Sequence, residues 1–223
     1  MATCLIVGAS RGLGLELARQ YAADGDRVLG SYRDPADAPA LARICARTLR
    51  VDLLQPDWTA ALAALRDERI DLAILAAGIV GPRSAGLTAP DPDEFDAVMH
   101  TNVLAAMQAI PALAEGLIAT GGKLVVLSSR MGSMGSATDG SRWLYRASKA
   151  ALNSVLKSAS ADLGACGVVC MAVHPGWVRT DMGGPDADLA VSESVASLRR
   201  VIAAANRSHN GRFLNYNGEQ LEW

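Results

Sequence analysis

This 223-residue sequence is poor in aromatics and histidine, holds four cysteines and carries a formal net charge of only −2. Each shortage removes a class of function. Acidic and basic residues are interspersed, so no basic stripe offers itself to nucleic acid or to an anionic membrane surface. A small molecule is the expected partner. Cys4 and Cys170 fall inside apolar, strand-like runs, which favours buried thiols over bridges. Cys166 and Cys170 meet no histidine cluster that would complete a zinc set, so no metal is expected. The opening MATCLIVG lacks the length and basic flank of a secretory signal, and no run reads as a membrane span. The expectation is a reduced, soluble, cytoplasmic protein. Lysine is the scarcest charge: 18 arginines stand against Lys123, Lys149 and Lys157.

What the chain does have is alternation. Apolar runs occur at 3–7, 27–32, 48–53, 71–78, 123–129, 168–173 and 211–216. Helical patterns fill the gaps at 12–24, 37–46, 57–68, 92–119, 142–164 and 192–205. Half of the residues are hydrophobic, enough for a buried parallel sheet with alanine-rich helices. Strand and helix in turn predict βαβ units. The expected fold is α/β, a Rossmann-like doubly wound parallel sheet of about seven strands with helices on both faces, in a single domain over 1–223. Ligands of such sheets bind beyond the strand C-termini. The stretches 79–92 and 181–188, rich in Gly, Pro and Asp, are the expected mobile segments.

The first strand runs into GASRGLG, residues 8–14, and a helical pattern follows at once. Gly8, Gly12 and Gly14 permit a tight turn and let backbone amides approach an anion, with the helix N-terminus behind them. The spacing is G-x-x-x-G-x-G, which differs from the G-x-G-x-x-G dinucleotide fingerprint. Gly8 to Gly12 also matches the G-x-S-x-G nucleophile elbow, centred on Ser10. That rival needs an oxyanion loop and a well-placed histidine; no HGGG-like stretch exists, and His100, His174 and His209 sit in unremarkable settings. The second strand ends Ser31-Tyr32-Arg33 without the carboxylate that binds an NAD ribose. Arg33 and Arg11 suit a 2′-phosphate instead, so NADP(H) is expected over NAD(H).

Within YRASK, Tyr145 and Lys149 lie four residues apart, hence on one helix face. A tyrosine of ordinary pKa near 10 is about 0.1% ionised at neutral pH. An adjacent ammonium favours the phenolate and makes the phenol a usable proton donor or acceptor. In a chain that otherwise chooses arginine, Lys149 marks a place for a compact charge. The preceding strand ends Ser128-Ser129, and a hydroxyl there would polarise a carbonyl; strand phase decides which serine points inward.

GASRGLG (8–14), LAAG (75–78), TNV (101–103), VLSS (126–129), YRASK (145–149) and HPGWVRTDM (174–182) together resemble the short-chain dehydrogenase/reductase family, in family order along the whole chain. The last part, ending NGRFLNYNGEQLEW, is similar to the C-factor and sniffer-like carbonyl reductase branch. The resemblance implies Tyr145 as general acid/base and Lys149 as the group that lowers its pKa. It implies Ser129 as the carbonyl-orienting hydroxyl and Asn102 as the holder of a water linking Lys149 to solvent. It implies cofactor contacts from Gly8, Ser10, Arg11, Gly12, Leu13, Gly14, Arg33, Asp52, Leu53, Ala76, Ala77 and Gly78. Tyr145, Lys149, Pro175, Gly176, Val178 and Thr180 complete that set. Arg130, Met131, Met134 and Trp143 are expected to shape the substrate pocket. Leu75-Ala76 departs from the family's paired asparagines. The expected activity is NADP(H)-dependent interconversion of a carbonyl and an alcohol by a homodimer or homotetramer formed through helices 92–119 and 142–164. The competing expectation is a cofactor-binding regulatory or signalling protein without significant turnover.

Overall fold

In a computed structural model the alternation becomes one parallel sheet of seven strands, in the order β3-β2-β1-β4-β5-β6-β7. The structure describes residues 1–82 and 88–223. The strands are β1 (Thr3–Val7), β2 (Arg27–Tyr32), β3 (Arg47–Arg50), β4 (Leu72–Leu75), β5 (Lys123–Leu127), β6 (Val169–His174) and β7 (Arg212–Asn215). The chain winds outward from β1 through β2 to β3, then returns to lay β4 on the other side of β1. Reversal at that point opens a crevice past the C-terminal ends of β1 and β4, where Val7 is paired with Leu75.

Both faces of the sheet are covered, and the period-two pleat divides the side chains between them. Leu5, Val7, Ala73 and Leu75 join one apolar cluster; Cys4, Ile6, Leu72 and Ile74 join the other. Helices α1 (Gly12–Ala23), α2 (Ala38–Leu41) and α7 (Val191–Ala204) contribute Leu17, Leu41 and Leu198 to the second cluster. Helices α3 (Thr59–Ala63), α5 (Ala105–Ile118) and α6 (Trp143–Ala165) contribute Leu62, Leu113 and Leu156 to the first. Each fully buried leucine is worth about 1.5–3 kcal/mol, which explains why apolar runs dominate both the strands and the inner helix faces.

The 27–32 and 3–7 strands begin and end as predicted, while two helices are shorter than their patterns. The 37–46 pattern yields a short 3₁₀ turn at Pro35–Asp37 and then α2; the 57–68 pattern yields only α3. Alanine makes both stretches look helical. Pro39 sits in the first turn of α2, and Cys45 and Trp58 are drawn into the core, so neither segment extends as a regular helix. The 48–53 strand stops at Arg50, and Val51 donates its N–H to Tyr32 O at 2.8 Å.

The 92–119 pattern becomes α4 (Pro92–Met99), a π turn (His100–Leu104) and α5 in direct succession. Its most apolar 18-residue window reaches a mean hydropathy of 1.3, longer and more apolar than the sequence reading expected of any run. Ala105, Ala109, Leu113 and Leu117 pack that helix into the sheet's core. Of the two segments expected to be mobile, residues 83–87 of the first lie outside the described residues. The second is tied back on itself: Gly184 N–H donates to Thr180 O at 2.8 Å, and Trp177 Nε1 donates to Gly183 O at 2.8 Å.

Candidate active site

At two positions of the β1–α1 turn the backbone leaves no room for a side chain. Gly8 has φ +90°, and a Cβ there would lie 2.8 Å from Ala77 N. A Cβ on Gly14 would lie 1.9 Å from Gly8 O. The turn is latched to β2, since Gly8 N–H donates to Ser31 Oγ at 2.8 Å and Ala9 N–H to Ser31 O at 2.8 Å. Helix α1 therefore starts at a bare cradle of amides. No acidic residue lies in its first turn, and its N-cap is Arg11, whose side chain makes no capping bond. Such a start suits an anion.

Arg11 and Arg33 are both exposed at this end. Arg11 Nη1 meets Asp181 Oδ2 at 3.4 Å, a solvent-exposed pair worth little energetically. Ser10 and Leu13 belong to the same turn. Asp52 Oδ1 accepts from Leu54 N–H at 3.3 Å, and Leu53 packs on the core edge after β3. Ala76 and Ala77 both donate to Val7 O, at 2.9 and 3.0 Å, so the β4 extension through Gly78 borders the cradle without the amide side chains. The Pro175–Thr180 segment follows β6, with Gly176 at φ +85° and buried Val178 bridged to Leu189.

At the other side of the crevice stand Ser129, Tyr145 and Lys149. The two serines part ways: Ser128 Oγ donates to Asn153 Oδ1 at 2.5 Å, while the Ser129 hydroxyl stands in the cavity wall beside Tyr145. Ser129 Oγ also accepts from Met131 N–H at 3.1 Å, which fixes its rotamer. Burial pushes the Tyr145 phenol up, against the lowering expected from Lys149; the influences that pull it back are Ser129 and the Arg142 guanidinium. Lys149 is buried, donates from Nζ to Leu127 O at 2.8 Å, and lies 5.8 Å from the Tyr145 ring centroid. Burial holds its ammonium down to about 8.

Asn102 sits in the π turn, a feature that often marks functional sites. Its Oδ1 accepts from Ile79 N–H at 2.9 Å, and Nδ2 donates to Ile79 O at 2.8 Å and to Ser148 Oγ at 2.9 Å. Ser148 in turn donates to Tyr145 O at 2.9 Å. One asparagine thus couples the β4 extension to the α6 turn that carries the tyrosine.

Ser129 and Tyr145 open onto a cavity of about 790 Å³. Arg130 and Met131 line it as expected; Met134 and Trp143 do not. Met134 is 75% exposed, and Trp143 Nε1 donates to Thr88 O at 2.9 Å. The sequence reading missed Arg142, Arg146, His174 and Trp177 in the wall. His174 ends β6 with a buried Nδ1 that has no partner among the described residues, and burial holds its imidazole down to about 4. Its position at a strand C-terminus was the available signal. Trp223 packs its ring on Phe213, centroids 5.5 Å apart, and its backbone oxygen accepts from Met134 N–H at 3.0 Å. That contact braces the segment just after Ser129.

The chain as a whole has counterparts among known proteins. The short chain dehydrogenase family model matches residues 2–188. The C-signal of Myxococcus xanthus is 46% identical over 114 residues, 51% of this chain and 67% of that protein. The carbonyl reductase Sniffer of D. melanogaster superposes with TM-score 0.92 and 31% identity over all of both chains. A carbonyl reductase from Pseudomonas aeruginosa PAO1, solved in complex with NADP, superposes with TM-score 0.87 and 35% identity over all of both chains. The chain belongs to the short-chain dehydrogenase/reductase family.

Proposed function

We propose that this short-chain dehydrogenase/reductase is an NADP(H)-dependent carbonyl reductase, with alcohol oxidation as its reverse. The observation that carries the reading is the Ser129 and Tyr145 hydroxyls together in one cavity wall, with the buried Lys149 Nζ 5.8 Å from the Tyr145 ring. A protein that only bound a nucleotide would have no use for a buried phenol placed beside a polarising hydroxyl.

The residues fit the cofactor. Gly8, Gly12 and Gly14 leave a cradle that any Cβ at positions 8 or 14 would fill, so backbone amides and the α1 N-terminus would hold its phosphates. Ser10 and Leu13 belong to the same cradle. Arg11 and Arg33 would take the 2′-phosphate. Asp52 and Leu53 would border the adenine, Ala76, Ala77 and Gly78 would line it by backbone, and Pro175, Gly176, Val178 and Thr180 would hold the nicotinamide end. When bound, NADPH supplies the hydride.

This chain's own side chains handle the oxygen and the proton. Ser129 and Tyr145 hydrogen-bond the carbonyl oxygen, which polarises it and fixes its position. Tyr145 then donates its proton to the developing alkoxide. Its elevated pKa keeps it protonated at neutral pH, the form that reduction needs. In the reverse direction the Lys149 ammonium stabilises the phenolate that accepts the proton. Asn102 holds the Ile79 segment and, through Ser148, the turn that presents Tyr145.

The subunits are proposed to pair through the α4–α5 and α6 helices, supported by exposed Leu104, Met107 and Ile118. Light scattering tests this, and a monomer would refute it. The activity test is NADPH oxidation over a panel of aldehydes and ketones. Wild type should turn over, and Tyr145→Phe should lose about 10²–10⁴-fold in kcat while still binding NADPH by fluorescence. A wild type that reduces nothing across the panel leaves the regulatory reading in its place.

A further inference from the structure

The substrate end of the cavity is cationic. Arg130, Arg142 and Arg146 all line it beside Ser129 and Tyr145. Arg146 Nη2 is engaged by Asp139 Oδ2 at 3.3 Å. Arg130 and Arg142 have neither a carboxylate nor a hydrogen-bond partner for their side chains among the described residues. The acids in the wall, Asp188 and Glu219, belong to the 181–189 loop and the turn after β7, and among the described residues neither forms an ion pair with Arg130 or Arg142. Glu222 lies against Gly135, farther along the chain from the reacting pair. The wall also holds Tyr216 and His174, the latter held neutral at physiological pH by burial.

Arg142 is also where local preferences are most openly violated. It is the N-cap of α6, a position that ordinarily selects Ser, Thr, Asp or Asn in extended backbone. Here an arginine stands at φ 51°, the one non-glycine residue with positive φ among the described residues. Its charge also opposes the positive end of the α6 dipole, and no acid in the first turn offsets it. The ordinary starts are nearby for comparison. Helix α4 begins with Asp91, Asp93 and Glu94, and at α7 the N–H of Ala190 donates to Glu193 Oε2 at 2.9 Å. A guanidinium that loses capping, dipole and backbone preferences, yet faces the reacting hydroxyls, is explained by what it meets there.

We infer that the substrate is a carbonyl compound bearing a carboxylate, an oxo acid whose anionic group is held by Arg142 and Arg130 while its carbonyl lies between Ser129 and Tyr145. The inference rests on the reductase reading for the identity of the reacting group. The carboxylate brings the counter-charge that Arg142 and Arg130 lack, and guanidiniums present the donor forks that a carboxylate accepts. Phosphates of the cofactor do not serve, since the glycine cradle that would hold them lies at the start of α1.

The test compares 4-formylbenzoate with its methyl ester, which keeps the aldehyde and removes the charge. In steady-state reduction with NADPH, wild type should favour the acid by about tenfold or more in kcat/KM, since a charge-assisted hydrogen bond contributes that much. The preference should appear in KM and shrink as salt is raised. Arg142→Asn suits the left-handed backbone, so it tests the charge without new strain. This variant, and separately Arg130→Gln, should bring the acid-to-ester ratio toward one. Binding of 4-formylbenzoate, read by saturation-transfer NMR without cofactor, should weaken in parallel. Equal use of acid and ester by wild type, or equal losses on both substrates in the variants, would overturn the inference and leave the reductase reading standing. Selective binding of the acid without turnover of either compound would support the cationic pocket and count against the reductase reading. Neither binding nor turnover would overturn both.

Discussion

Helices α1 and α6 both start at the crevice with an arginine at the N-cap, no side-chain cap and no acid in the first turn, but for different reasons. At α1 the arrangement is built from absences. The glycines remove every atom that would block the amides, and Arg11 stays in solvent. At α6 it is built from side chains: Arg142 is half-buried in a cavity wall and Tyr145 is buried one turn on. The first start recognises a charge by backbone shape, so it would accept many nucleotides. The second sets individual functional groups around a reacting atom. Backbone shape tolerates no substitution, whereas side-chain placement tolerates several with graded loss.

That contrast orders the predictions. The largest effect belongs to α6: Tyr145→Phe removes the proton donor, with the loss of about 10²–10⁴-fold in kcat given above. Gly14→Ala comes next. The added methyl cannot avoid Gly8 O, so the variant should lose NADPH binding and more than about 2 kcal/mol of stability by denaturant unfolding. Replacing Arg11 and Arg33 together by serine should lower NADPH-over-NADH preference roughly tenfold or more in kcat/KM, with little change in stability.

The mildest effect is on pH. Burial lowers Lys149 from 10.5 to about 8, so its charge is present below that pH and lost as pH rises through it. Wherever its ammonium is required, turnover should bend downward near pH 8. Stability should move the other way. Between about 8 and 10.5 the unfolded chain binds the extra proton, so the lysine's contribution to stability rises with pH there. Chemical unfolding of wild type and Lys149→Met at pH 7 and pH 10 checks the sign: the difference should shift in favour of wild type at the higher pH.

The same contrast accounts for what could be read from the sequence. Gly8 and Gly14 were legible because a backbone requirement is written directly as a residue type. Most strands were legible because they are apolar on both faces, β3 with its single buried Leu49 being the exception, and the alternation of strands with helices dictated a parallel sheet. Tyr145 and Lys149 were legible because their spacing is a helix property. Strand pattern alone could not tell Ser129 from Ser128, and only the family resemblance singled out Ser129; the structure turns Ser128 to Asn153, 25 residues on. Arg142 was invisible because no local pattern announces a left-handed arginine, and Trp143 was misplaced because it turns to Thr88 and away from the cavity. His174 was passed over because a histidine means little until β6 is seen to end in the cavity wall. Short α2 and α3 were overextended because alanine propensity ignores the core contacts that end them.

The division of labour between the two helix starts is tested most directly by crossing two variants with two ratios. NADPH-to-NADH and acid-to-ester preferences are measured in kcat/KM for wild type, the Arg11/Arg33 double serine variant and Arg142→Asn. Each variant should move its own ratio by about tenfold and leave the other ratio near the wild-type value. If Arg142→Asn changes the cofactor ratio, or the double variant changes the substrate ratio to the same degree, the two starts do not act separately and the account fails.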